Sequence, residues 1–141
     1  MIRKVFLLTI LLVFKERLFS QIESPSGVKI DRLAKTLDGK FHHSDSLSSF
    51  YTGVAYELYQ NKRINFYWQI INGVTVKFLR FSELGRAIVE ENFNTNGNYT
   101  GLYLQGNEVG DTLTYGHYND GKKIGQWITT DVSGKKIIRQ Y

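Results

Sequence analysis

The chain has no cysteine and only one proline and one methionine among its 141 residues. Without cysteine it can form no disulfide, carry no lipid on an N-terminal cysteine and use no thiolate chemistry. A single proline, Pro25, together with an aromatic content of 14%, argues against extended disorder. The fold must therefore be held together by a non-covalent core, and one domain accounts for this length.

Long apolar runs are also missing. The longest, residues 5–14, spans ten residues and is interrupted only by Thr9. A helix needs about 20 apolar residues to cross the hydrocarbon core of a bilayer. This run instead has the length of the apolar part of a secretory signal peptide.

The N-terminus follows the order of such a signal. A basic pair, Arg3-Lys4, precedes the apolar run, and Leu18-Phe19-Ser20 ends on a small residue. We predict a signal peptide over residues 1–20, cleavage near Ser20 and export to the periplasm or the outside of a bacterial cell. Because residues 15–17 place charges before the cleavage site, an N-terminally membrane-anchored or cytosolic chain is the alternative.

The net positive charge is small once this segment is set aside. Residues 1–20 hold four of the 18 basic side chains and one of the 13 carboxylates, a net of +3. The formal charge of +5 for the whole chain therefore falls to +2 for residues 21–141. Binding to nucleic acid depends on dense neutralisation of phosphates, so the sequence predicts no nucleic-acid partner.

What the sequence does contain is a series of strand-length segments separated by turn residues. Residues 21–36 read as a linker, Leu37–Lys40 as a first hairpin turn and residues 42–50 as a serine-rich loop. From Tyr51 onward, aromatic and β-branched residues alternate with glycine-centred turns. Further turns are predicted at Asn72-Gly73, Leu84-Gly85, Asn96-Gly97, Asp120-Gly121 and Ser133-Gly134.

These signals predict an all-β fold, a single-layer antiparallel meander of about seven to nine strands over residues 37–141. Within it, the pattern [ND]-G-x-x-x-G-x-[YW] occurs in Asn96–Tyr103 and again 24 residues later in Asp120–Trp127. A fixed period of this size is typical of repeat architectures. Glycines are denser between Tyr99 and Tyr118 than a regular strand allows, which predicts bulges or a strongly bent pair of strands there.

With these residues the chain resembles the MORN-variant repeats of the YwqK-like antitoxin family. The best match is Tyr118–Trp127, followed by Gly134-Lys135 and the closing Tyr141, and Asn96–Tyr103 and Asn72–Phe93 are weaker copies. The resemblance covers residues 37–141 and implies a sheet of MORN-like β-hairpin repeats that acts in protein–protein contact, with no catalytic residue. The copies depart from the family pattern where residues 74–76 lack the second glycine and Asp131-Val132-Ser133 replaces an aromatic turn.

Residue types that carry catalysis or bind metal are few. His42-His43 with Asp45 is the one group with metal-ligand types, but adjacent residues of a strand point to opposite faces. Glu90 and Glu91 face opposite ways for the same reason and do not form a catalytic acid pair. We therefore predict no enzyme activity, no metal and no cofactor.

Basic residues gather near the C-terminus. Charges on a terminal strand most often protect an exposed edge from pairing with another chain. Contact with a membrane surface or an acidic partner is the alternative. The group consists of Lys122, Lys123, Lys135, Lys136 and Arg139.

Aromatic residues are the strongest functional signal. Alternate residues of a strand share a face, and a single-layer sheet leaves such a face accessible unless the N-terminal segment folds across it. Exposed aromatic surface is typical of interaction sites. The alternative is that the rings only pack against one another and form the core. We expect a non-enzymatic protein-binding module of the bacterial envelope, with an antitoxin or immunity-like protein as the alternative. The candidate partner-binding residues are Tyr99, Tyr103, Tyr115, Tyr118 and Trp127.

Overall fold

The computed structural model describes residues 26–141. The predicted signal peptide and the first residues of the predicted linker lie outside the described residues. Within residues 26–141, no helix has the length and apolar character needed to cross a membrane.

Nine strands form one large sheet, in which neighbouring strands from β5 to β12 follow one another along the chain. All of these neighbours pair antiparallel, whereas the short β1 pairs with β5 in parallel. The predicted all-β antiparallel meander is therefore confirmed. The strands are β1 (Val28–Lys29), β5 (Gly53–Leu58), β6 (Ile64–Ile71), β7 (Val74–Phe81), β8 (Ala87–Asn92), β9 (Gly101–Gly106), β10 (Thr112–Asn119), β11 (Lys122–Thr130) and β12 (Lys136–Gln140).

Two-residue turns connect β6 to β7 and β10 to β11. Asn72 and Gly73 have φ angles of 48° and 77°, and Asp120 and Gly121 have 46° and 80°. Type I′ hairpin turns require this left-handed backbone at both positions, which Asn, Asp and Gly adopt at least cost. Both turns lie where the sequence predicts them.

Five-residue loops make the remaining hairpin connections of the large sheet. In each loop the first N–H donates to the fifth carbonyl, and the fourth N–H donates to the first carbonyl. Glycine holds the fourth position in all but the first of them, where Lys62 adopts a positive φ of 65°. The predicted turns at Leu84-Gly85, Asn96-Gly97 and Ser133-Gly134 are confirmed as parts of these loops. The loops start at Tyr59, Ser82, Asn94, Asn107 and Asp131.

Irregular pairing occurs in the glycine-rich part of the sheet, and register shifts also occur between β5 and β6, β6 and β7, and β7 and β8. The register between β9 and β10 shifts between Thr112 and Thr114, and the register between β10 and β11 shifts between Tyr115 and His117. These shifts confirm the bulges predicted for this part of the chain. They change which residues of β10 and β11 stand opposite one another.

The N-terminal part of the described chain differs from the prediction. Residues 28–35, expected as part of a linker, form β1, a 3-10 turn (Ile30–Arg32) and β2 (Leu33–Lys35). The serine-rich loop predicted for residues 42–50 is wrong, because β3 (Phe41–His43) and β4 (Ser46–Phe50) occupy most of it. Backbone pairing with β3 forms β4 despite serine's modest preference for strands.

Strands β2, β3 and β4 form a separate three-stranded sheet, here called the N-terminal layer. Its Phe41 shares a buried cluster with Tyr51, Ala55 and Ile70, and Trp68 packs against this cluster. The N-terminal layer therefore covers the large sheet at β5 and β6. The prediction of a single-layer sheet therefore holds only for the remaining strands, β7 to β12.

Candidate functional site

A ladder of aromatic rings crosses one face of the large sheet, here called the aromatic face. Within β6 and β7, neighbouring rings have centroids 5.6 to 5.8 Å apart. A second group runs from β8 to the C-terminus with centroid separations of 4.8 to 6.3 Å. The members are Phe66, Trp68, Phe78, Phe93, Tyr99, Tyr103, Tyr118, Trp127 and Tyr141.

Four of the five predicted partner-binding residues come together in the second group. The rings of Tyr99 and Tyr118 stack, with centroids 5.0 Å apart and 23° between their planes. Tyr103 meets both of them edge-on, at 85° and 84°. Trp127 completes the cluster 4.8 Å from Tyr118.

Tyr115, the fifth predicted residue, lies on the opposite face of the sheet. Its neighbour Gly116 pairs with Tyr103 and lies against the Trp127 ring, so strand alternation turns Tyr115 the other way. There it pairs with Leu104 and Ile128 and is 40% exposed. The structure therefore separates Tyr115 from the other four residues.

Trp127 is the floor of the cluster rather than its surface. It is 3% exposed, and its indole N–H donates to the backbone carbonyl of His117 at 3.1 Å. A Cβ atom at Gly116 would lie 2.2 Å from the ring, so only glycine leaves room for the indole there. Tyr103 and Tyr118 are half-buried and present ring surface at this end of the aromatic face.

The repeated sequence pattern corresponds to a repeated arrangement of side chains. Gly101 and Gly125, the second glycines of the two copies, have φ angles of 69° and 63°. Each lies across from a tyrosine, Tyr118 in the first copy and Tyr141 in the second. The backbone is therefore repeated, although the side chains that it carries differ.

Lys123 holds in the second copy the place that Tyr99 holds in the first, 24 residues earlier. Its ammonium nitrogen lies 4.3 Å from the ring centroid of Trp127 and 5.2 Å from that of Tyr141. The sequence placed Lys123 only within a general basic group. Comparing the two copies position by position is the signal that would have singled it out.

Glu91 brings a carboxylate into contact with the tyrosines of this face, and sequence reasoning missed it as a site residue. It pairs with Phe78 across β7 and β8 and accepts a hydrogen bond from the Tyr99 hydroxyl at 3.1 Å. Its neighbour Glu90 points the other way, to Lys77 at 2.7 Å. The prediction that Glu90 and Glu91 face opposite ways is therefore confirmed.

Burial and the Glu91 carboxylate raise the pKa of the tyrosines of this face above the ordinary value of 10.0. Burial, and next the nearby Glu91, raises the pKa of Tyr99 from 10.0 to about 12. Burial also raises the pKa values of Tyr103 and Tyr118. At neutral pH the face therefore presents phenol hydroxyls, one of which donates to a carboxylate.

The histidine group considered as a metal site is split by the fold. His42 is buried, with Nδ1 3.1 Å from the carbonyl oxygen of Ser49, while His43 is exposed and lines a shallow cleft. Asp45 lines the same cleft as His43, but so do Lys29 and Arg32, whose positive charges oppose a metal ion. In the described part of the chain, no three His, Asp or Glu side chains lie close enough to hold a metal ion together.

No protein-family model matches the sequence, and no curated protein or solved structure matches it either. The function is therefore argued from the geometry of the aromatic face.

Proposed function

We propose that the protein is a non-enzymatic binding module built of MORN-like β-hairpin repeats, which holds a protein partner on its aromatic face in the bacterial envelope. One observation carries this proposal. The rings of Tyr99, Tyr103 and Tyr118 lie together above a buried Trp127, on the part of the face beyond the N-terminal layer.

The chemistry of this surface suits protein recognition. Tyrosine offers a large apolar ring that loses little conformational entropy on binding, and a hydroxyl that hydrogen-bonds at the edge of an interface. Ring-to-ring contacts already hold Tyr103 and Tyr118 in place. A partner would therefore meet a pre-organised surface, which lowers the entropy cost of association.

The repeat architecture supports the MORN-like part of the proposal. The two-residue turn at Asn72-Gly73 and the one at Asp120-Gly121 are 48 residues apart, twice the period of the sequence pattern, and the Asn96-Gly97 turn lies midway. Each unit is a hairpin that buries little apolar surface alone and gains stability by stacking against its neighbours. The envelope location depends on residues 1–20, and N-terminal sequencing of the purified protein tests it.

Photo-crosslinking tests the binding face. A benzophenone amino acid replaces Tyr118 in the full chain, the protein is expressed in its own host, and crosslinked products are identified by mass spectrometry. We expect a protein partner to be crosslinked from position 118. The same amino acid at position 115 is the matched control, because Tyr115 is a tyrosine of the same strand on the opposite face.

Alanine substitution of Tyr118 and of Tyr115 measures how much each side chain contributes to the free energy of binding. Tyr118→Ala should weaken binding of the crosslinked partner by about 2 kcal/mol, as expected for a hot-spot residue. Tyr115→Ala should leave the affinity unchanged. Crosslinking from position 115 but not from position 118 would overturn the proposal. A partner that proves to be a toxin, bound by a chain that retains its first 20 residues, would instead favour the antitoxin function.

A further inference from the structure

The aromatic face carries an acidic residue on one side of the tyrosine cluster. Glu91 is half-buried on β8, and its hydrogen-bond partner is the neutral hydroxyl of Tyr99. The ion pairs found among residues 26–141 involve other carboxylates, on Asp38, Glu90 and Glu108. Glu91 therefore places a negative charge on an apolar surface without a basic partner from the described chain.

Basic residues lie on the other side of the same cluster. The ammonium group of Lys123 contacts the rings of Trp127 and Tyr141 but no carboxylate, and Arg139 is exposed beside Trp127 on the next strand. Neither forms an ion pair among residues 26–141. The face is therefore acidic at β8 and basic at β11 and β12.

Glu91 and Arg139 lie in one row across the strands, and Lys123 lies further along β11, where it pairs with Tyr118. Glu90 pairs with Leu104, which brings the next residue, Glu91, beside Tyr103. Tyr103 pairs with Gly116, which lies against the ring of Trp127. Trp127 in turn pairs with Arg139. Glu91 and Arg139 therefore lie at the same height along the strands, on either side of β9 and β10, and Lys123 lies four residues from Trp127 along β11.

We infer that the partner of the aromatic face is a second copy of this chain, packed face to face so that Glu91 of each copy meets Lys123 and Arg139 of the other. A two-fold axis parallel to the strands, between β9 and β10, lays β8 of one copy over β11 of the other and β7 over β12. Glu91 then lies over Trp127, with Arg139 on the adjacent strand and Lys123 on the same strand as Trp127. In such an interface each contact occurs twice, as closed dimers require. The inference rests on the proposed function, because it names the protein that this face binds.

Among residues 26–141, no second layer covers the sheet beyond the N-terminal layer, and a second copy of the chain supplies one. Domains are built from two packed layers, and stacked sheets lie about 10 Å apart with interdigitating side chains. Strands β7 to β12 are free to overlap in this dimer. At about 4.8 Å between strands and about 17 Å of strand length they bury roughly 500 Å² per copy, near the lower limit for a specific interface.

Charge reversal tests the inference with the full chain in analytical ultracentrifugation. The wild type should sediment as a dimer. Glu91→Lys should weaken self-association at least about 100-fold, because it sets like charges opposite each other. The double variant Lys123→Glu with Arg139→Glu should do the same. Circular dichroism confirms that both variants are folded.

An equimolar mixture of the two variants is the decisive sample. In the mixed dimer, the lysine at position 91 of one copy faces the glutamates at 123 and 139 of the other, and Glu91 of that other copy faces Lys123 and Arg139 of the first. Because both contacts join opposite charges, the mixture should dimerise although neither variant does so alone. Lys136→Glu is the matched control, since strand alternation places Lys136 on the opposite face of β12 from Arg139, and it should leave the dimer intact.

A monomeric wild type, or a mixture that stays monomeric, would overturn the inference. The same result together with crosslinking of a different protein from position 118 would leave the proposed function standing. A dimer that Glu91→Lys does not weaken would show that the copies meet through another surface, and would also overturn the inference.

Discussion

Gly116 is the residue on which the position of Trp127 depends. Its lack of a side chain leaves the space that the indole fills, and a Cβ atom would lie 2.2 Å from the ring. We expect Gly116→Ala to lower the free energy of unfolding by about 1–3 kcal/mol, the usual cost of overpacking. Urea unfolding followed by tryptophan fluorescence measures the loss.

Gly134→Ala shows how much backbone strain by itself lowers the free energy of unfolding. Gly134 has a φ of 81° but nothing within 4 Å of a Cβ atom, so alanine there meets backbone strain without a steric contact. Gly116 does not have this left-handed backbone, so the cost of Gly116→Ala comes from contact with the ring alone. A Gly116→Ala variant as stable as wild type would show that the ring of Trp127 is not packed against Gly116 as described.

Tyr99 links the stability of the aromatic face to alkaline pH. Its pKa is 10.0 in an ordinary environment and about 12 in the folded chain. Since the unfolded chain loses this proton first, the contribution of Tyr99 is fully present below pH 10 and is lost as pH rises toward 12. The stability advantage of wild type over Tyr99→Phe should therefore narrow across this window.

Urea unfolding of both proteins at several alkaline pH values measures this difference, and the ultraviolet absorbance of tyrosinate reports the titration directly. Wild type should show one tyrosine more than Tyr99→Phe that titrates late. A stability difference that does not vary with pH would contradict the raised pKa of Tyr99.

At the scale of elements, Asp120 joins two neighbouring hairpins. Its Oδ1 accepts hydrogen bonds from the side-chain amides of Asn94 and Asn98, at 2.9 and 2.8 Å. Asp120 also holds a positive φ of 46°, which Asp and Asn adopt far more readily than Ala. Asp120→Ala should lower Tm, because it removes both bonds and strains the turn.

Asp120→Asn is the matched variant, because it keeps an acceptor oxygen and tolerates the left-handed backbone. Its Tm should lie between those of wild type and Asp120→Ala. The amides of Asn98 and Asn94 lower the pKa of Asp120, so its contribution is present above the ordinary pKa and is lost as pH falls through the lowered value. Equal Tm values for the two variants would show that the positive φ is not costly here.

The hairpin loops show why the strands and turns of this fold were easier to predict from the sequence than the packing between them. In the loops starting at Asn94 and Asp131, the first side chain accepts backbone N–H bonds from within the same loop. Glycine at the fourth position then takes the left-handed backbone that closes the loop. Such interactions lie within five residues of sequence, so a local pattern is sufficient to reveal them.

At the scale of the whole molecule, a second layer of structure packs on only one end of the large sheet. The N-terminal layer buries Ala55 and Ile70 at one end, whereas Tyr141 at the other end is 52% exposed. The sequence allows the N-terminal segment to fold across the sheet, but its pattern predicts a loop for residues 42–50. The layer forms through long-range backbone bonds, such as Phe41 N–H to the carbonyl of Gly73, which no local pattern encodes.

The sequence by itself determined the all-β class, the positions of the turns and the presence of bulges, because each depends on the backbone preferences of a few adjacent residues. It also identified the tyrosines that gather around Trp127. Only the tertiary structure decided that Tyr115 lies on the opposite face, that Trp127 is buried against Gly116, and that Glu91 joins the cluster. Those outcomes depend on register between strands, and in this chain a bulge between Tyr115 and His117 sets part of that register.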